Sequence, residues 1–304
     1  MLNKTRRIKK NKKKQRGGGN TKKLNKVNCS PYVNNKTVVD DSCMTKEIVL
    51  KIKDEYNKDH AEKIIASDPS LIWYELKTKL DCKDERCWVN EIDNKEMQKQ
   101  IKEQIFAPEH PPEWNANNRE WVSNFDIDSV MEQYEKHFKD FKYLGTTPID
   151  YDYIVDQKTK ECVENKLCRF NLKKLIGEGK QRFATVFNLD KHNDDGSHWV
   201  SVFIDVPRKF IMFFDSANGS YPKYIRKFVK TVQQQGLEEN IEFEFLRNKK
   251  SHQRGASECG IYCIHFIIEM LMRPEKALDV FMNGSIPDKK INKFRNVYFN
   301  KPEK

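Results

Sequence analysis

Residues 198–215 read His-Trp-Val-Ser-Val-Phe-Ile-Asp-Val-Pro-Arg-Lys-Phe-Ile-Met-Phe-Phe-Asp, and residues 259–272 read Cys-Gly-Ile-Tyr-Cys-Ile-His-Phe-Ile-Ile-Glu-Met-Leu-Met. In the first, two aromatic and β-branched runs flank Val206-Pro207-Arg208-Lys209, a turn sequence that predicts an antiparallel hairpin. Centred between Val206 and Pro207, the hairpin sets His198 opposite Asp215, Val200 opposite Phe213 and Val202 opposite Ile211. One face is then apolar and ends in an imidazole facing a carboxylate at the open end. The second stretch is apolar nearly all round and stops at Arg273-Pro274, which predicts a helix buried in a core. Strands packed on a buried helix make the fold class α+β.

Working outward, residues 183–189 and 241–246 carry the same short aromatic pattern and read as further strands, with a helix at 221–236 before the last. Residues 118–141 form an amphipathic stretch whose stripe is Trp121, Phe125, Val130, Met131, Tyr134 and Phe138. Upstream, helical spacing recurs over 45–66, 70–80 and 88–105. The breaker run Ala107-Pro108-Glu109-His110-Pro111-Pro112 then marks a domain boundary. The expected organisation is a disordered basic tail over 1–26, a helical arm over 27–112 and a second domain over 113–304.

The charge is uneven. Twelve of the 56 Lys and Arg lie in residues 1–26, which hold no acid, leaving 44 basic against 45 acidic residues in the rest. The net +11 is therefore a property of the tail. A pervasive nucleic-acid-binding body is excluded, while nonspecific DNA or RNA binding through the tail is not. No run approaches the ~20 apolar residues that span a bilayer, so no membrane partner is expected. Eight scattered cysteines without a signal peptide point to reduced thiols in a cytosol-like compartment, not a disulfide framework.

The chemistry converges on a thiol. Asp215 opposite His198 can fix the imidazole tautomer and stabilise its protonated form. Cys259 sits at the first turn of the buried helix, where about half a positive charge favours a thiolate. Gly260 beside it permits close approach of backbone and substrate. Gln253, in the polar loop 251–257, can join the Cys259 amide as an oxyanion donor. Cys263, one turn deeper, reads as a core thiol. A zinc site from His252, Cys259, Cys263 and His265 is disfavoured because His265 falls on another helix face from Cys263, and Cys82 with Cys87 lacks a second ligand pair. No metal or organic cofactor is required. Trp121 reads equally as a core aromatic or a wall of the site.

These residues resemble the cysteine proteases that include SUMO-specific proteases and the adenovirus protease, adenain. The matching blocks are Trp121-Val-Ser-Asn124 with Ile127, Gly196-Ser-His198-Trp199, Phe213-Phe-Asp215-Ser216, and Gln253 six residues before Cys259 in Glu258-Cys-Gly-Ile-Tyr262. The resemblance spans about 114–272. It implies a papain-like core with a central mixed sheet flanked by helices, and a thiol endopeptidase with His198, Asp215, Gln253 and Cys259 as its catalytic residues. It also implies cleavage after Gly-Gly-type sequences in a tunnel roofed by Trp199, with Trp121 at the substrate. Some viral members carry Asn in the third triad place, so Asn218 is an alternative to Asp215.

The helical arm, basic glycine-bearing start and AT-rich composition look more like the proteases of large cytoplasmic DNA viruses. That likeness implies maturation of viral structural proteins, and by analogy a place in the virion or viral factory in the host cytoplasm. Otherwise the expectation is simply intracellular, nuclear or cytoplasmic. Two alternatives stay open: a SUMO- or ubiquitin-like-protein-specific isopeptidase, and an inactive relative that docks on nucleic acid as a packaging protein.

Overall fold

The computed structural model describes residues 23–303. A five-stranded mixed sheet runs in the order β1 (Phe141–Pro148), β4 (Arg182–Asn188), β5 (Trp199–Asp205), β6 (Phe210–Phe214), β7 (Glu244–Arg247). The outer pairs β1/β4 and β6/β7 are parallel, and the inner pairs are antiparallel. Between β1 and β4 lie a small ribbon, β2 (Ile154–Asp156) with β3 (Glu161–Cys162), and two short helices, α5 (Asn165–Cys168) and α6 (Leu172–Gly177).

Strands β5 and β6 are buried along their whole length because helices cover both sides. Phe203, Met212 and Phe214 pack with Ile264 and Phe266 of α8 (Cys259–Met272), while Val202, Ile211 and Phe213 pack with Ile225 and Phe228 of α7 (Lys223–Glu238). Continuous apolar strands, not alternating ones, are what such a two-sided sheet requires. The expected α8 has the bounds read from sequence.

The hairpin register departs from expectation by two residues. Val202 pairs with Phe213, Ile204 with Ile211 and Asp205 with Phe210. The turn is the four residues 206–209, closed by the Lys209 amide donating to the Val206 carbonyl (3.1 Å), with Lys209 at φ 54°. Because side chains alternate, a slip of two keeps each one on its predicted face. Carried on by the same count, Val200 faces Asp215, so His198 reaches the carboxylate diagonally.

The upstream helices are α1 (Lys46–Asp59), α2 (Pro69–Lys79) and α3 (Lys95–Ile105), each started by a side-chain cap from Thr45, Asp68 or Asn94. They enclose a core containing Val49, Ile52, Trp73, Trp88 and Ile101. The expected helix over 88–105 is split, since Glu85–Glu91 is a 3-10 turn and the Asn94 cap begins α3 anew. α4 (Asn124–His137) opens with a capping box between Ser123 and Asp126.

Two helices not anticipated, α9 (Pro274–Asn283) and α10 (Asp288–Tyr298), follow α8 and pack into its core. The chain then returns to the breaker run, where the His110 amide donates to the Asn300 carbonyl and the Asn300 amide to the Pro108 carbonyl, both at 2.8 Å. Residues 1–22 of the expected tail lie outside the described residues. At its end the Asn25 amide donates to the Lys83 carbonyl.

The expectation of reduced cysteines is corrected. Cys29–Cys43, Cys82–Cys87 and Cys162–Cys168 are disulfides, leaving Cys259 and Cys263 as free thiols. Their Cα separations of 5.2, 5.8 and 6.6 Å lie within disulfide range. The paired cysteines lie 14, 5 and 6 residues apart in sequence. At Cys82 and Cys87, Asp84 accepts from the Arg86 amide and side chain inside the bridge. Among the described residues no helix is long and apolar enough to cross a membrane.

Candidate functional site

His198 stands just ahead of β5, where the chain arrives through Gly196 at φ 94°. A Cβ at Gly196 would lie 2.9 Å from Asn188 Nδ2. The Asn188 side-chain oxygen accepts from the amides of Asp190 and Ser197, so the loop is folded back onto the end of β4. These bonds fix the backbone from which the imidazole projects.

His198 Nε2 lies 2.6 Å from Asp215 Oδ1. The Asp215 carboxylate also accepts from the amides of Ala217 (2.9 Å) and Gly219 (2.6 Å). Its own peptide is clamped: Asn248, 1% exposed, accepts from the Asp215 amide and donates to the Asp215 carbonyl. Asn248 went unnoticed in the sequence, where a lone Asn after a strand gives no signal. Asn218 points elsewhere, donating at 3.5 Å to the Lys249 carbonyl and accepting from Arg247. Of the two candidates for the third place, Asp215 alone meets His198.

Cys259 begins α8 and lies within hydrogen-bond reach of His198. With Nε2 engaged by Asp215, Nδ1 is the nitrogen left for the thiol. The first turn of α8 is pressed against the end of the sheet. A Cβ on Gly260 would sit 2.2 Å from Val122 Cγ2 and 3.2 Å from Trp199 Cδ1, so only glycine permits this approach. Trp199 is held by its Nε1 donating to the Val122 carbonyl (3.2 Å).

Burial draws the His198 imidazole down, yet its hydrogen bonds to Asp215 and Cys259 and their charges outweigh this, leaving it pushed up to about 9. Burial likewise raises the Asp215 carboxyl. The bond and charge of His198, with the amides of Ala217 and Gly219, reverse that and hold it below its ordinary value. Cys263 is different: burial, with Cys259 nearby, pushes its thiol well up. The site therefore pairs a proton-holding imidazole with Cys259 and keeps the second thiol neutral.

Gln253 sits on the loop ahead of α8. Its amide and that of His252 donate to the Ser216 carbonyl, at 2.9 and 2.7 Å. The Gln253 side-chain oxygen accepts from Ser216 Oγ (2.7 Å), and Nε2 donates to the Gly255 carbonyl (2.9 Å). One Nε2 proton remains uncommitted by these bonds. Ser216, next to Asp215, thus couples the carboxylate to the glutamine loop.

Beside these residues a cleft of about 650 Å³ is lined in part by Trp121, Val122, Ser123, Asn188, Gly196 and Trp199. Trp199 and Val122 border both this cleft and Gly260. His252 and His265 are spent in the core, bonded to the Phe281 carbonyl and the Tyr298 hydroxyl. No group of three or more metal-ligating side chains is assembled among the described residues.

Comparison with known proteins bears on the family and the fold. The model of the Ulp1 protease family, C-terminal catalytic domain, matches residues 187–303. R355 of Acanthamoeba polyphaga mimivirus, a thiol protease by name, is 33% identical over 246 residues, 79% of this chain and 78% of that protein. Cysteine protease S273R of African swine fever virus is 25% identical over 284 residues, 89% of this chain and 94% of the relative. In another isolate the same protein is named SUMO-1 cysteine protease. The crystal structure of the African swine fever virus protease shares the fold, with a TM-score of 0.61 and 23% identity over 93% of this chain and 98% of that one. The chain belongs to the Ulp1 protease family and is a cysteine-type peptidase.

Proposed function

We propose that the protein is an endopeptidase that cleaves after Gly-Gly-type sequences in the maturation of viral structural proteins. The observation that carries the catalytic part is His198, bonded to Asp215 and within reach of Cys259 at the start of α8. Cys259 Sγ attacks the scissile carbonyl carbon, and the carbonyl electron pair moves onto oxygen. The Cys259 amide and the free Gln253 Nε2 proton face that oxyanion. His198 delivers its proton to the leaving amine as the C–N bond breaks, giving a thioester. Water, deprotonated by His198, then releases the acid and regenerates Cys259. Asp215 holds the ring and balances its charge throughout.

The preference for glycine follows from crowding. Trp199 and Val122 already press on Gly260 beside the nucleophile, which leaves little width for substrate side chains next to the scissile bond. Trp121 and Trp199 wall the approach. The viral sources of the relatives support the maturation role and a place in virions or viral factories. A second reading, removal of a SUMO-like protein, is favoured by the name of one relative. Incubating the protein with Gly-Gly-X peptides from viral structural proteins and with a SUMO-conjugated substrate separates the two. Cleavage of the peptides supports maturation, and cleavage of the conjugate alone overturns it.

The basic start of the chain completes the proposal as a nonspecific DNA or RNA tether. A chain beginning at Val27 should lose salt-sensitive DNA binding yet cleave a free peptide at the full-length rate. Acceleration of peptide cleavage by DNA would overturn tethering.

A further inference from the structure

The α10 sequence Asp-Lys-Lys-Ile-Asn-Lys-Phe-Arg-Asn-Val-Tyr reads as a basic surface helix, yet its Arg295 is only 3% exposed. The guanidinium stacks 4.5 Å from the ring of Trp114 and forms no ion pair among the described residues. It is held by neutral oxygens: Nη2 donates to the Ser257 carbonyl (2.8 Å), Nη1 to the Glu120 carbonyl (2.7 Å) and Nε to Asn292 Oδ1 (2.9 Å). Two of these acceptors matter for their position. Ser257 lies two residues before Cys259, and Glu120 directly precedes Trp121 on the cleft wall. One buried cation therefore ties the turn ahead of the nucleophile to the wall of the substrate cleft.

The charged and titratable neighbours in electrostatic range of Arg295 are Glu258, Cys259, Glu120 and Arg119. Glu258 is occupied by the Ser257 amide and by Asn292 Nδ2. Around Cys259 stand His198 on one side and Asp215 behind it. A guanidinium stays protonated even when buried, so its charge is permanent at this place.

We propose that Arg295 is a positioning residue of the Cys259 site, whose buried guanidinium holds the turn before α8 against the wall of the substrate cleft. This rests on Cys259 being the nucleophile. The test is the rate of iodoacetamide alkylation at about pH 6.5, read at Cys259 and at Cys263 by peptide mapping of the full chain. In that reaction the thiolate displaces iodide and forms a carbon–sulfur bond, so the rate follows the ionised fraction. Wild type, His198→Ala, Arg295→Met and Arg295→Lys are compared, with circular dichroism and melting curves to establish folding.

Arg295→Met and Arg295→Lys should each slow Cys259 labelling about tenfold and leave Cys263 unchanged, because neither side chain carries the planar fork that reaches both carbonyls and holds Cys259 against His198. Were the buried charge alone at work, the lysine chain would label like wild type. A folded Arg295→Met or Arg295→Lys chain that labels Cys259 at the wild-type rate overturns the proposal. If the Met chain does not fold, the Lys chain carries the test by itself. Wild-type Cys259 labelling no faster than Cys263, with no effect of His198→Ala, overturns the nucleophile assignment, and the inference with it.

Discussion

Asp215 meets His198 Nε2 at 2.6 Å while two backbone amides, of Ala217 and Gly219, hold the same carboxylate from behind. The carboxylate is thus fixed before substrate arrives, and the imidazole with it. Asn218, three residues on, supplies a left-handed backbone at φ 55° and no contact to the ring.

Asp215→Ala should therefore lower kcat by at least about a hundredfold, since the ring loses both its orientation and its countercharge. Asn218→Gly, which keeps the positive φ available, should leave kcat within about threefold. Steady-state kinetics on a Gly-Gly-X peptide decides. The opposite ranking would give Asn218 the third place.

The raised value of His198 has a definite sign in pH. Folding holds a proton that the unfolded chain releases near 6.5, so the stabilisation is full below that pH and is lost as pH rises through about 9. kcat/KM should fall on its alkaline side with a midpoint near 9. In Asp215→Asn that midpoint should move down by at least about one pH unit, because a partner charge is gone. An unmoved alkaline limb would detach it from His198.

Gln253 is oriented by Ser216 and Gly255, and in the proposed mechanism it meets the substrate only at the developing oxyanion. Gln253→Ala should lower kcat by about 10²- to 10³-fold with KM nearly unchanged. A rise in KM at constant kcat would make it a binding residue instead.

Three disulfides leave two of eight cysteines free. Denaturation without reductant followed by iodoacetamide should label Cys259 and Cys263 alone, and prior reduction should expose all eight. Mass spectrometry reads the count directly. Eight labels without reductant would return the chain to the reduced state its composition suggests.

What the sequence disclosed, and what it hid, follows from the range of the forces involved. Helix α8 was legible to the residue because twelve of its fourteen positions are buried and Pro274 stops it. The faces of β5 and β6 were legible because successive side chains of any strand point to opposite sides, but their register was not, since Val206-Pro207-Arg208-Lys209 fits turns of several lengths and only packing chooses. β1 escaped notice because Gly145 at φ 102° and a register break between Tyr143 and Thr146 interrupt its period. Spacing was enough to single out Cys259, His198, Asp215 and Gln253 as candidates. It could not single out Arg295 and Asn248, because nothing local says that a charged or amide side chain will be buried. The disulfides were hidden for a similar reason: the chain between Cys82 and Cys87, for instance, is set by contacts such as Asp84 with Arg86.

The central claim, that Cys259 is the nucleophile activated by His198, is met most directly by intact mass and peptide mapping after exposure to a Gly-Gly vinyl sulfone. A thiolate adds across the activated double bond and gives a stable thioether, so the adduct records which sulfur was armed. One adduct, at Cys259, is predicted in the wild type, and none in His198→Ala over the same time. An adduct at Cys263, or equal modification of Cys259 with and without His198, would contradict it.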